Sequence, residues 1–279
     1  MVRFGAAAST LQKAATYSSA RRKIGTVTCQ CAAARLTSST SSSPSTTSWK
    51  PQRRQLSSES TSSLLDRGVM DSNDLLQFNT LHELQQNSSE AFGSNPLFGT
   101  HNGKEEGGEF EWMTYEEWGR KVDACRTVLK ETCGVREFSK IGIISNNRWE
   151  WATIAAAAYS LNATLVPMYE AQLPKDWAYI LNDSESCTVF CATQDIYDRA
   201  QREVLPSTPS VKAMLCLDAA EGEPHAFATA MAAAEKEGSA QTAILAPTPD
   251  DLANLVYTSG TTGKPKGVEL LHSNSTSNV

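Results

Sequence analysis

The chain is expected to fold as an α/β protein, with a doubly wound, mostly parallel sheet flanked by helices. Three observations carry that expectation. From residue 114 onward, short β-type apolar runs alternate with helical patterns of ten or more residues, the signature of strand–helix–strand units. The clearest run, Ile141-Gly142-Ile143-Ile144-Ser145, is continuously apolar rather than alternating, so both faces of its sheet are expected to be covered. The last run, Leu252–Tyr257, opens into a loop rich in Ser, Thr and Gly, and open α/β sheets bind ligands beyond the carboxyl ends of their strands.

Each element has a local reason. Thr114-Tyr115-Glu116-Glu117 reads as a capping box, in which the threonine and the glutamate satisfy each other's backbone N–H groups. Tyr115, Trp118, Val122, Cys125 and Leu129 follow at spacings of three and four, and the helix is expected to stop near Gly134. The strand at Ile141 turns at Asn146-Asn147 into a helix whose buried face is Trp151, Ile154, Ala155 and Ala158. A strand is expected from Thr164 to Met168, then a helix opened by Pro174 with Asp176 in its first turn, where proline loses nothing and a carboxylate meets the positive end of the helix dipole. Strand Cys187–Cys191, helix Asp195–Val204, strand Val211–Leu217 and an alanine-rich helix Ala226–Glu237 continue the alternation, and Gly267–Leu271 is expected to return beside Leu252–Tyr257. Trp112, Trp149, Trp151 and Trp177 are read as core aromatics, and Tyr169 and Glu170 as packing residues.

The loop is the stretch that carries chemistry. It runs Leu255-Val256-Tyr257-Thr258-Ser259-Gly260-Thr261-Thr262-Gly263-Lys264-Pro265-Lys266-Gly267-Val268. Glycines let the backbone approach an anion, successive N–H groups in such a turn make a concave anion site, and Thr258, Ser259, Thr261 and Thr262 supply hydroxyl donors. Lys264 and Lys266 supply positive charge. A bare Gly-Thr-Thr-Gly would read more readily as a flexible turn between two strands. The loop is not of the Walker type, because Thr258 stands where that pattern needs its first glycine and Pro265 stands where it needs Ser or Thr.

From Tyr257 to Val268 the string resembles, without a gap, the phosphate-binding signature of the adenylate-forming (AMP-binding) superfamily. Upstream segments resemble the long-chain acyl-CoA synthetases within it. These are Trp112-Met113-Thr114-Tyr115, the segment from Ile141 to Trp151 (with Trp149 where proline is usual), Val166-Pro167-Met168-Tyr169-Glu170, and Asn182-Asp183-Ser184. The resemblance covers about residue 78 to the last residue. It implies that Thr258 through Gly263, Lys264, Lys266 and Gly267 hold ATP phosphates, with Lys266 the catalytic lysine and Lys264 at a variable, solvated position. It implies Thr258 as the Mg²⁺ ligand.

The implied reaction has two steps, carboxylate attack on the α-phosphorus of ATP to give an acyl-adenylate, then displacement of AMP by coenzyme A. A fatty acid, ATP and CoA are the implied ligands. Two other readings stay open: an acyl-carrier-protein or aryl-acid ligase, and a non-catalytic truncated protein. By resemblance, 75–279 is the N-terminal portion of the domain, ending in the helix His272–Val279. The adenine-binding segment, the ribose-binding aspartate and the C-terminal catalytic lysine are expected beyond it, so the 279 residues alone are expected to be inactive and poorly soluble.

Composition bounds the rest. Apolar residues make up 40% and charged residues 20% of 279, which suits one or two globular domains. Residues 1–58 hold nine Lys/Arg and no acid, leaving 16 basic against 31 acidic residues from residue 59 onward, a net of −15. An acidic body does not suit a general nucleic-acid binder. No run approaches the ~20 apolar residues of a membrane span, which leaves peripheral membrane contact as the membrane option. The basic, Ser/Thr/Ala-rich leader 1–56 has Phe4, Ala8, Leu11 and Ala15 at helical spacing and reads as a mitochondrial transit peptide, with a plastid leader as the alternative. Residues 57–74 read as a polar linker. The seven cysteines and four histidines show no zinc spacing, and the cysteines are expected to be reduced.

Overall fold

The computed structural model describes residues 63–73, 75–103, 108–238, 242–259 and 264–278. The leader reading of 1–56 lies outside the described residues. The chain enters through a small apolar knot in which Leu64, Val69 and Met70 bury themselves with Ala91. This knot falls largely within the stretch read as a linker.

Helix α1 (Leu81–Phe92) begins on Thr80, whose hydroxyl accepts the Glu83 N–H at 3.1 Å. A two-stranded antiparallel ribbon follows, β1 (Pro96–His101) with β2 (Phe110–Thr114). One expectation fails here: Trp112 is 51% exposed rather than core. Its ring lies over its cross-strand partner Gly99, where an added Cβ would sit 3.0 Å from two ring carbons. The outer face of a two-stranded ribbon has no second layer to bury an aromatic ring, so the ring covers the glycine instead.

The capping box is present. The Thr114 N–H donates to Glu117 Oε2 at 2.8 Å and the Glu117 N–H to Thr114 Oγ1 at 3.2 Å. It starts α2 (Tyr115–Thr127), which runs into a π-helical stretch Val128–Thr132 and stops before Gly134, at φ +67°.

A six-stranded sheet follows, in the order β6-β5-β3-β4-β7-β8. Its members are β3 (Lys140–Ile144), β4 (Thr164–Met168), β5 (Thr188–Cys191), β6 (Ala213–Cys216), β7 (Leu252–Ser259) and β8 (Pro265–Leu271). All pairings are parallel except β7 with β8, which is antiparallel. The connecting helices are α3 (Trp149–Tyr159), α4 (Pro174–Asp183), α5 (Gln194–Glu203) and α6 (Phe227–Glu237), and a short α7 (His272–Thr276) ends the described chain.

Helices cover both faces. On one, α2, α3 and α6 pack on Ile141, Ile143, Leu165, Phe190 and Leu215. On the other, α4 and α5 bring Trp177, Ile180, Leu181 and Ile196 onto Ile144, Val166, Met168, Val189 and Cys191. Neighbouring residues of a strand point to opposite layers, which is why these runs are apolar throughout. Gly142 is set by packing, because a Cβ there would meet Leu181 Cδ2 at 2.6 Å. Cys125, Cys133, Cys187, Cys191 and Cys216 are free thiols. Among the described residues, no helix is long and apolar enough to cross a membrane.

Candidate functional site

The parallel strands end together on one edge of the sheet, and the signature loop leaves from there. β7 ends at Ser259 and β8 begins at Pro265, its register partner. Gly260, Thr261, Thr262 and Gly263 lie outside the described residues. The flanking residues are placed. Thr258 pairs directly with Lys266, so the two side chains leave the same face of the hairpin, with Cβ atoms about 5 Å apart. Both are exposed, as is Lys264, which precedes the strand. Among the described residues neither lysine has an ion-pair partner. The hydroxyl and the two ammonium groups are therefore open to an incoming anion.

Gly267 behaves differently from a phosphate-cradling glycine. It is extended within β8 and is not among the glycines of positive φ. A Cβ there would stand 3.0 Å from Leu255 Cδ1 and 3.2 Å from Tyr257 Cζ. Tyr257 is 8% exposed, and its hydroxyl donates to Asp183 Oδ2 at 2.6 Å. Burial, and then the Asp183 carboxylate, push the phenol pKa well above its usual value.

The same edge is fastened at two more places. The Asn146 N–H donates to Glu170 Oε1 at 2.8 Å, joining the ends of β3 and β4. Arg148 donates to both oxygens of Glu150 at 2.8 Å, and to Asp218 Oδ1 at 2.8 Å beyond the end of β6. The two carboxylates hold the guanidinium firmly charged. Glu170 is a packing residue of this edge, whereas Tyr169 is 72% exposed and is held through its backbone: its carbonyl accepts the Trp177 indole N–H at 3.0 Å, and its N–H donates to Gln172 Oε1 at 3.0 Å. In the sequence, Arg148, Glu150 and Asp183 fall inside recognisable segments with no role attached to them. Their partners lie 2 to 74 residues away, so spacing alone points to none but the nearest.

Two features lie away from the loop. A cleft of about 870 Å³ opens beside the β1–β2 ribbon, lined by Trp112, Lys121, Trp149 and Glu235 among others and by none of the loop residues. At the base of the hairpin, His82 and His272 are buried, and burial holds each imidazole pKa down at about 4. The Leu81 N–H donates to His272 Nδ1 at 3.2 Å, while His82 Nδ1 and His272 Nε2 have no hydrogen-bond partner among the described residues. Among the described residues no group of three His, Cys, Asp or Glu side chains could hold a metal ion.

The chain is similar to known proteins. The family of AMP-binding enzymes matches residues 97–279. The chain is 28% identical over 214 residues to fatty acyl-CoA synthetase B of Dictyostelium discoideum, covering 72% of this chain and 31% of that protein. It is 28% identical over 211 residues to long-chain-fatty-acid–CoA ligase 6 of Homo sapiens, covering 70% and 29%. It is 30% identical over 215 residues to long chain acyl-CoA synthetase 7, peroxisomal, of Arabidopsis thaliana, covering 73% and 30%. The chain thus spans about three-tenths of the length of these relatives.

Among solved structures, the anthranilate CoA ligase AuaEII aligns with a TM-score of 0.58 at 18% identity, covering 73% of this chain and 37% of that one. The long-chain-fatty-acid-CoA ligase FadD1 from Archaeoglobus fulgidus aligns at 0.55 and 24%, covering 69% and 36%. At these identities the structures speak for the fold alone.

Proposed function

The chain belongs to the AMP-binding enzyme family, and from that premise we propose that its parent protein is an ATP-dependent long-chain fatty acid–CoA ligase. The observation that carries the reading is the exposed Thr258–Lys266 pair. It flanks an ungapped phosphate signature at the ligand edge of the sheet, in a chain whose relatives are named as fatty acyl-CoA synthetases. Lys266 places an ammonium group beside the triphosphate of ATP, where charge stabilisation and positioning dominate phosphoryl chemistry. Ser259, Lys264 and the loop 260–263 complete the phosphate contacts.

A magnesium ion fits this donor set through the Thr258 hydroxyl alone, since such an ion is bound mainly by substrate phosphates and water. When bound it offsets charge on the phosphate oxygens.

The full-length parent is expected to release pyrophosphate with ATP and long-chain fatty acids, and to form acyl-CoA when CoA is added. Aryl and amino acids should be poor substrates, and a preference for either would overturn the substrate class. The acid-free, basic leader 1–56 supports delivery to an organelle, the mitochondrion before the plastid. A reporter carrying it that stays uniformly cytosolic would sink that part.

A further inference from the structure

We propose that Tyr257 is a positioning residue, held by Asp183 and Gly267, that sets the direction in which the phosphate loop leaves the sheet. The proposal rests on the ligase reading above. Tyr257 immediately precedes Thr258, so its side chain goes to the opposite face of β7 from the Thr258 hydroxyl. Whatever fixes the ring therefore fixes where Thr258, and its partner Lys266, point.

Three contacts fix it. The phenol O–H donates at 2.6 Å to Asp183, the last residue of α4, a short bond to a charged acceptor of the stronger class. The ring meets Tyr179 of the same helix edge-on, with centroids 6.5 Å apart and planes at 90°. Its far side covers Gly267, its register partner, leaving 3.2 Å between Tyr257 Cζ and any Cβ placed there.

An aromatic ring laid over a cross-strand glycine is a recurrent way of pinning strand register. Among the described residues it occurs twice, here and at Trp112 over Gly99. The β7–β8 instance is also tied by a hydrogen bond to a helix of the main body. The tie has mechanical consequences because β8 is the edge of the sheet, bonded to β7 and to no other strand among the described residues. Without it, the tip of the hairpin can twist about β7. Gly267 thus serves the loop by making room for the ring, rather than by touching phosphate.

The test uses the full-length parent. Tyr257→Phe keeps the ring and removes the hydroxyl. It should raise KM for ATP about tenfold while leaving KM for fatty acid and for CoA within twofold, and kcat within threefold. Asp183→Ala should do the same, and the double variant should be no worse than either single change. Asp183→Asn retains an acceptor oxygen and should stay within twofold of the parent. Amide hydrogen exchange at Thr258 and Lys266 should quicken in Tyr257→Phe and Asp183→Ala but not in Asp183→Asn.

An ATP KM within twofold in Tyr257→Phe, or a parallel loss for all three substrates, overturns the proposal. So does unchanged exchange at those amides. If the unaltered parent makes no acyl-CoA, the ligase reading fails, and the exchange measurement still decides whether Tyr257 holds the hairpin.

Discussion

The parallel half of the sheet and the β7–β8 hairpin are drawn from similarly apolar sequence, yet they meet water in different ways. In the parallel half, Ile141, Ile143, Leu165, Val189 and Phe190 are fully buried, and helices close both faces. In the hairpin, β7 still buries Ala253, Leu255 and Tyr257, while β8 exposes Lys266, Gly267, Val268 and Glu269 in succession. A strand buried on both faces has no surface to offer a triphosphate. The transition from covered to uncovered sheet falls within one hairpin, and the signature loop sits at its tip. The hairpin must therefore obtain its rigidity from a few discrete ties, whereas the parallel half obtains it from continuous packing.

The largest expected difference follows directly. Phe190→Ala removes a ring that meets Phe227 edge-on at 5.8 Å inside the closed layer, and should cost about 3–5 kcal/mol. Val268→Ala, at a residue 43% exposed on the edge strand, should cost less than about 0.5 kcal/mol. Urea unfolding followed by tryptophan fluorescence separates the two. Similar losses would mean that the hairpin is core, and the contrast would collapse.

Much of the closed half was legible in the sequence because its signals are local. Thr164–Met168 has the expected bounds, Pro174 opens α4, and the Thr114–Glu117 box starts α2. Two strands are shorter than expected: β5 begins at Thr188 and β6 covers Ala213–Cys216. Val211 packs on the core before the ladder begins, and Leu217 follows it with one further backbone bond, its N–H donating to the Cys191 carbonyl at 2.8 Å. What spacing leaves unseen are demands made by partners far along the chain. Gly142 reads as an odd residue in a strand until Leu181 is seen against it. Arg148 and Asp218 lie 70 residues apart, and Tyr257 and Asp183 lie 74 apart. At the site, the signature named Thr258 and Lys266 without stating that they face each other across the hairpin.

A second contrast concerns pH and the base of the hairpin. His82 and His272 join α1 to the start of α7, with Arg126, Glu83, Asp123 and Asp251 as the charged groups acting on them. An unfolded imidazole titrates near 6.5, while burial holds these two at about 4. Between those values only the unfolded chain takes up the protons, so stability falls as pH drops through that window. A tenfold difference in proton affinity between the folded and unfolded chain is worth about 1.4 kcal/mol, so each imidazole contributes on the order of 2–3 kcal/mol to the loss. Melting temperatures measured from pH 7 to pH 4 should drop steeply, and the slope should flatten in His82→Asn and His272→Asn. An unchanged slope in both variants would place the acid sensitivity elsewhere, on carboxylates such as Asp251.

The smallest effects are the ones that assign the chemistry. Lys266 sits inside β8 with its Cβ fixed opposite Thr258, so its ammonium group is tethered to one side of the hairpin. Lys264 precedes the strand and is exposed, with no register partner among the described residues to restrict it. A charge-assisted contact from a fixed donor is worth roughly 1.5–3 kcal/mol, while a solvated ammonium near the same anion contributes little through water. In the full-length parent, Lys266→Ala should slow adenylate formation by about tenfold to a hundredfold in single-turnover measurements. Lys264→Ala should slow it by less than about threefold. Neither change should move the urea midpoint, because both side chains leave an exposed face. Equal losses at the two positions would mean that the tip of the hairpin, rather than the strand register, decides which lysine meets the phosphates. In that case the tie through Tyr257 would govern both lysines together, and Tyr257→Phe would lower the contribution of each by the same factor.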